Sequence, residues 1–358
     1  MDTKIFRYIT AKSLESWEHI ASKLLKETSR VYDYLPPSKK SNIKIERNIL
    51  ETFQKNHHYF SFRRPLVGHV TNHIEDIEIT QKLLIDAFHV FEDPFILEQV
   101  TGEILAKVLA YRNLKKDMVL YIPWVVDDKA ELIPCRVDRV FNLWKQMRAF
   151  GIRPVDKRHC NLLLFRGTDL SFKSESSRIS IMSNFDPQGP GHSIFFHAKK
   201  KIEDWMKSTT TKNHKAKTMG YSLGGALSSY LLCNLPEFFS ESSTSLLFNQ
   251  PGLIDNNLEN FLKEQKKHGF KVRSYVAEGD AVSKYGFMFC ETIGLKVPER
   301  VLPPLAAHTK LFCALSDLEA RRVDIDKENK SDSRRFYTNL HNRISKILYK
   351  VGIKHFLP

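Results

Sequence analysis

The stretch Met219-Gly220-Tyr221-Ser222-Leu223-Gly224-Gly225-Ala226-Leu227 has at its centre the form G-x-S-x-G. In that form a serine sits on a tight turn between a strand and a helix and presents its hydroxyl to a carbonyl carbon. The turn is so tight that the positions two before and two after the serine must be nearly free of side chain, and Gly220 and Gly224 meet that demand. A bare match to the pattern weighs little, so the flanks must carry the case. Downstream, Gly225 to Asn234 predicts a helix whose small first turn permits close packing on a sheet and whose Leu227, Leu231 and Leu232 share one face. Upstream, Ala216 to Met219 predicts a short, weakly apolar strand.

A second signal stands earlier, in Asn161-Leu162-Leu163-Leu164-Phe165-Arg166-Gly167-Thr168-Asp169. A continuous apolar run that stops abruptly at Arg-Gly-Thr has the pattern of a buried parallel strand delivering a loop to the carboxyl edge of a sheet. Acyl transfer needs hydrogen-bond donors at such an edge, because negative charge develops on the carbonyl oxygen as the serine attacks. Thr168 offers its backbone N–H and its hydroxyl, and the N–H of Leu223, just after the serine, is the opposing candidate.

The pairing of Phe165-Arg166-Gly167-Thr168 with Gly220-Tyr221-Ser222-Leu223-Gly224-Gly225-Ala226-Leu227 resembles the class 3 lipase family, the fungal-lipase-like α/β-hydrolases. The resemblance covers roughly residues 115 to 315 and implies an α/β-hydrolase fold, a mostly parallel central sheet flanked by helices. Two departures stand out: Tyr221, where members often carry His, and Phe248-Asn249-Gln250-Pro251-Gly252 in place of a G-x-P-R-x-G stretch. The family order places an acid and then a histidine after the serine. It puts the acid at Asp280, in a Glu278-Gly279-Asp280-Ala281-Val282 turn after the strand pattern Lys271–Ala277, with Glu278 and Asp255 as competing carboxylates. It puts the base at His308, in Leu305-Ala306-Ala307-His308-Thr309-Lys310-Leu311-Phe312. His341 and His355 lie in a basic tail, and His192, His197 and His268 fall in the wrong chain order. Between Thr168 and Ser222 the family has its lid; here that position holds Leu170, Phe172, Ile179, Ile181, Met182 and Phe185 among serines and charges. They suit a segment covering an apolar trench and equally an ordinary loop packing its apolar residues down.

The chain has 358 residues, 42% of them hydrophobic, enough for one large domain with an appendage or for two domains. No apolar run reaches the length of a membrane span; the longest strand-like one is Met118 to Val126. Five cysteines without C-x-x-C or metal spacing, and an N-terminus without a signal-peptide pattern, lead us to expect a cytoplasmic protein with reduced thiols; export without a signal peptide, as effectors use, is the alternative. The formal net charge of +14 favours anionic partners. Basic residues gather from Lys199 to Lys217 and from Arg321 to Lys354. In the tail, Phe336, Leu340, Ile344, Ile347, Leu348 and Val351 recur at helical spacing, with Arg334, Arg335, Arg343, Lys346 and Lys350 between them. Such a helix packs its apolar stripe on the body and shows a solvated charged face, the more ordinary arrangement, or makes peripheral contact with anionic membrane. Nucleic acid is a third partner class, for which no RNA-binding signature or zinc-finger spacing speaks.

The expected organisation is a helical region over 1–112, an α/β-hydrolase domain over 113–316, and a basic helical tail over 317–358. Helical stripes run through Leu14, Trp17, Ile20, Ala21, Leu24 and Leu25, through Ile74 to Phe91, and through Ile96, Val100, Ile104, Val108 and Leu109, with a break at Glu92-Asp93-Pro94. The first region caps the active site, binds a partner or completes the core. The functional expectation is a serine hydrolase of carboxylic esters, a lipase or phospholipase by resemblance, with no metal or organic cofactor and a lipid or ester substrate. An acyltransferase or thioesterase with the same triad, and a non-catalytic lipid- or partner-binding protein on a hydrolase scaffold, are the alternatives.

Overall fold

The computed structural model describes residues 74–126, 129–145, 147–169, 175–239, 241–296, 304–312, 319–351 and 357–358. The stripe from Leu14 to Leu25, the lid candidates Leu170 and Phe172, and His355 lie outside them.

Two helices lead. In α1 (Ile74–Val90), Leu83, Leu84 and Ala87 are buried. After the expected break, α2 (Pro94–Lys107) opens with Asp93 as its N-cap; the carboxylate accepts from the Phe95 N–H at 2.8 Å, and Pro94 takes a first-turn place where an N–H would go unpaired anyway. Ile96 is exposed, so the buried run of α2 starts at Leu97 and continues through Val100, Ile104 and Leu105.

Nine strands of the described residues then form one sheet in chain order. An antiparallel meander, β1 (Val119–Val126), β2 (Lys129–Trp144), β3 (Met147–Pro154) and β4 (Asn161–Phe165), makes one side. From β4 the sheet turns parallel through β5 (Ala216–Tyr221), β6 (Thr244–Phe248), β7 (Lys271–Ala277) and β8 (Glu291–Lys296). β9 (Glu319–Arg322) closes the other edge antiparallel to β8, so the sheet takes in residues beyond 316. The crossovers carry α3 (Glu175–Ser183) and α4 (His192–Thr209) before β5, α5 (Leu223–Asn234) after it, and α6 (Asp255–His268) before β7. After β8 come α7 (Pro304–Thr309), which bears His308, and, beyond β9, α8 (Ile325–Asn329) and α9 (Asp332–Val351). This is an α/β fold whose sheet is parallel in the middle.

All five residues of β4 are buried, as the apolar run predicts for a strand covered on both faces. Alternation sorts them: Leu162 and Leu164 join a core with α1, α2 and the Ala307–Phe312 segment, while Leu163 and Phe165 join a second core with α4, α5 and α6. β6 repeats the pattern, with Leu246 and Phe248 on the first face and Leu247 on the second. Helices α1 and α2 are therefore one of the layers that complete the core, the last of the three roles left open for that region.

The terminal helix α9 forms where the spacing predicts it, yet the start of its apolar stripe faces outward while Ile344 and Leu348 are half-buried. Arg334 and Ser345 are buried, whereas Phe336 is 62% and Leu340 42% exposed. The reason lies in what α9 meets, which is loop backbone: Arg334 Nη1 donates to the Gly286 carbonyl at 2.8 Å, and the Gly286 N–H donates to Thr338 Oγ1 at 3.0 Å. Free carbonyls and N–H groups on a buried surface demand polar partners.

Candidate active site

The turn between β5 and α5 brings Ser222 to the carboxyl edge of the parallel strands. Its backbone sits at φ 55°, ψ −125°, a conformation that costs a non-glycine residue about 1–3 kcal/mol and persists only where the surroundings enforce it. They do so: the Ser222 N–H donates to the Phe248 carbonyl at 2.9 Å, and the Ser222 carbonyl accepts from Gly225 at 2.9 Å. A Cβ at Gly220 would stand 2.2 Å from the Gly224 carbonyl oxygen, and one at Gly224 would stand 2.6 Å from that of Phe165. Both glycines are thus required by contact, as the motif implies.

Three side chains expected to meet do meet. His308 Nε2 lies 2.8 Å from Ser222 Oγ, and His308 Nδ1 lies 3.0 Å from Asp280 Oδ1. Asp280 Oδ1 also accepts from the Val282 N–H at 2.9 Å, which fixes the carboxylate on its own turn. Asp280 is fully buried, and Ser222 and His308 are 4% and 6% exposed. Of the competing acids, Glu278 is exposed and faces Lys296 at 4.0 Å, and Asp255 opens α6. Of the other histidines, His192 and His197 pack on Phe196 and Trp144, and His268 pairs with Glu264 at 3.3 Å.

The segment bearing His308 is held by residues that the sequence reading did not assign to the site. The Tyr221 hydroxyl, directly before the serine, donates to the His308 carbonyl at 2.9 Å. Asn249, at φ 47°, ties three pieces together: Nδ2 donates to the carbonyls of His308 at 2.8 Å and Ala307 at 3.1 Å, while Oδ1 accepts from the Ala277 N–H at 3.0 Å. Asn is among the few residues that tolerate this left-handed backbone. The Asn249 of the divergent Phe248–Gly252 stretch is therefore a strut between the Asp280 loop and the His308 segment. From α2, Lys107 donates to Glu103 and to the Lys310 carbonyl, each at 2.7 Å, and Glu103 accepts from the Phe312 N–H at 2.8 Å. This ion pair is buried. An i,i+4 Glu-Lys pair inside an apolar stripe is the one sequence signal that could have found it.

On the opposite side of the serine, Thr168 is buried after β4, and its hydroxyl oxygen accepts from Asn184 Nδ2 at 2.9 Å. The preceding Arg166 pairs with Asp169 at 2.8 Å and lies over the Tyr111 ring, which braces the loop. Leu223 is the first residue of α5, so its N–H has no carbonyl one turn earlier within the helix to bond. Among the lid candidates, Ile179 is fully buried in the core with α4 and α5, and Ile181, Met182 and Phe185 are partly buried. Among the described residues no His, Cys, Asp or Glu group gathers as a metal site, and no helix is long and apolar enough to cross a membrane.

No family model matches this chain, and no curated protein matches it. Among solved structures, it is similar to the lipase of Rhizomucor miehei in its propeptide complex, with 17% identity, a TM-score of 0.32, and 44% of this chain covering 56% of that one. Lipase II from Rhizopus niveus gives 17% identity and a TM-score of 0.33 over 52% of this chain and 70% of that one. A mutant form of MDLA from Penicillium cyclopium gives 11% identity and a TM-score of 0.37 over 71% and 89%. This chain thus spans little more than half of the Rhizomucor chain, and similarity at this level leaves the site to be judged on its own geometry.

Proposed function

We propose that the chain is a serine hydrolase of carboxylic esters, of lipase or phospholipase type, with Ser222 as nucleophile, His308 as base and Asp280 as the acid that orients it. The observation that carries this reading is the continuous contact Ser222 Oγ–His308 Nε2–His308 Nδ1–Asp280 Oδ1, at 2.8 and 3.0 Å, on a strained serine turn. Asp280 accepts the Nδ1–H and so leaves Nε2 unprotonated and aimed at the serine hydroxyl. As Ser222 Oγ bonds to the ester carbonyl carbon, His308 takes the hydroxyl proton, and the imidazolium that forms is stabilised by the buried Asp280 carboxylate. The carbonyl oxygen becomes an oxyanion, for which the N–H of Leu223 and the N–H and hydroxyl of Thr168 are the donors. His308 returns its proton to the departing alcohol; water then repeats the sequence on the acyl-enzyme and frees the acid.

The substrate class follows from surroundings rather than from the triad. The partly buried Ile181, Met182 and Phe185, in and just after α3 and close in the chain to Asn184, which bonds Thr168, are the candidate cover. Exposed Phe336, Leu340 and Tyr349 on α9, next to Arg335, Arg343 and Lys346, support contact with an anionic lipid surface. A cytoplasmic location remains part of this reading, and the division at 112 and 316 remains one of sequence regions, since α1 and α2 share the core and β9 extends the sheet.

Labelling with a fluorophosphonate, together with hydrolysis of short- and long-chain esters, tests it. The parent protein is expected to be labelled at Ser222 and to hydrolyse ester. Ser222→Ala should lose labelling and at least about 10⁴-fold in turnover. Ester hydrolysis retained by purified Ser222→Ala sinks the assignment.

A further inference from the structure

The inward stripe of α9, Arg334, Thr338, His341 and Ser345, follows helical spacing, and His341 is its contact with the serine's surroundings. His341 Nε2 lies 2.6 Å from the Asn184 carbonyl. The ring stacks on Phe185, with centroids 5.5 Å apart and planes at 15°, and packs against Tyr285 at 4.1 Å. Asn184, one residue away from that stacked ring, donates from Nδ2 to Thr168 Oγ1 at 2.9 Å and to the Ser180 carbonyl at 2.9 Å.

The chemistry of these partners fixes the direction of each bond. A carbonyl only accepts, so His341 carries its proton on Nε2, and its Nδ1 is the acceptor that faces Ser345 Oγ at 3.3 Å. Burial lowers the pKa of His341, which agrees with a neutral ring. The Ser180 carbonyl likewise requires that Asn184 present its NH₂ there, and the same NH₂ reaches Thr168. A threonine hydroxyl has one proton and two lone pairs. With Asn184 donating into a lone pair, the Thr168 proton stays available for another acceptor, and the hydroxyl is held as a donor.

We propose that His341 is a positioning residue for the oxyanion site: by holding the Asn184 carbonyl and clamping Phe185, it sets the Asn184 amide against Thr168 and so commits the Thr168 hydroxyl as a donor. The inference rests on Thr168 serving the reaction proposed above. It makes the C-terminal helix part of the site, although His341 lies 157 residues from Asn184 in the chain.

The test is saturation kinetics of fluorophosphonate labelling in the full chain. In that step Ser222 Oγ bonds to phosphorus, the P–F bond breaks, fluoride leaves, His308 takes the serine proton, and charge builds on the phosphoryl oxygen beside Thr168. His341→Phe keeps the stacking between Phe185 and Tyr285 and removes the Nε2–H. It should lower the maximal labelling rate about tenfold, with the half-saturating concentration unchanged within about twofold, because the lost donor acts on the transition state. In a Thr168→Val background the same change should cost less than about twofold, since coupled residues are non-additive. His341→Gln, whose amide can again donate to the Asn184 carbonyl, should recover most of the rate. An equal cost of His341→Phe in both backgrounds, or a loss that appears only as weaker probe binding, overturns the inference while the Ser222 reading stands. Failure of the parent to be labelled at Ser222 removes that reading and the inference with it.

Discussion

The two sides of Ser222 are built differently. On one side, His308 and Asp280, the proposed base and acid, are held by residues rooted in the sheet and in α2: Tyr221, Asn249 and the buried Glu103–Lys107 pair, each bonding main chain. On the side of Thr168, the proposed oxyanion donor, the hydroxyl is held through Asn184, and Asn184 through His341 on a terminal helix, by side chains only partly buried. The first half has little to gain from motion and is fixed by the core that folds the protein. The second rests in part on a surface helix, reached through a relay of two side chains, and elements that open to admit a substrate are drawn from the less stable parts of a fold.

Breaking the half that holds Asp280 and His308 should have the largest effects. Asp280→Asn leaves His308 Nδ1 facing an amide that cannot secure the required tautomer, and turnover should fall by about 10⁴-fold, with His308→Ala at least as damaging. Steady-state ester hydrolysis checks both, and tolerance of His308→Ala would remove the base from the triad. Next comes the scaffold under His308. Lys107→Met strands the buried Glu103 carboxylate, and losing one partner of a buried pair costs about 3–5 kcal/mol. Denaturant unfolding should show that loss, with a smaller one in the double variant Glu103→Gln, Lys107→Met, where no unpaired charge remains. Equal stability of the single and double variants would mean that the pair does not act as a unit.

The Thr168 half should respond more mildly. Thr168→Val keeps the shape and the backbone N–H but deletes the hydroxyl, and it should cost about 10²-fold in turnover with little change in apparent substrate binding. A loss under about threefold would leave the N–H groups as the donors and the side chain as packing.

The same contrast explains what the sequence could and could not reveal. The serine turn at Ser222, β4 and β7 were legible because each sits in a local pattern: a turn that needs glycines, an apolar run that stops, a strand pattern before a Gly-Asp turn; Asp280 and His308 were picked out only by the order that the family resemblance implies. The struts were not, because they act across distance. Tyr221 reaches 87 residues to the His308 carbonyl and Lys107 reaches 203 to that of Lys310, and a residue that bonds main chain leaves no mark on its partner's identity. Strand β2 was hidden for another reason: register shifts at Val137/Arg139 and Asn142/Trp144 interrupt the alternation by which a strand is recognised. In α9 the apolar spacing gave the helix correctly but not the buried Arg334 and Ser345 or the exposed Phe336 and Leu340, because periodicity reports which residues share a side and not what that side will meet.

That last difference sharpens the expectation for α9 and yields the smallest effect per substitution. Arg334 is buried against Gly286 and Glu328, so it has no part in contacts at the surface. Arg335, Arg343 and Lys346 are exposed beside Phe336 and Leu340, a cationic and apolar face of the kind that settles on an anionic bilayer. Reversing these three to Glu should weaken binding to phosphatidylserine vesicles by about 1 kcal/mol for each cation removed. Added salt should weaken it too, since such attraction is screened within about 10 Å at 0.1 M. Hydrolysis of a soluble short-chain ester should stay unchanged, because these side chains point away from the His341 contact; Arg334→Glu, by contrast, should destabilise α9 and lower that hydrolysis without any vesicle present. If the parent protein does not bind such vesicles at low salt, or the three reversals leave binding unaltered, the exposed face serves solubility and α9 belongs to the site through its inward face alone.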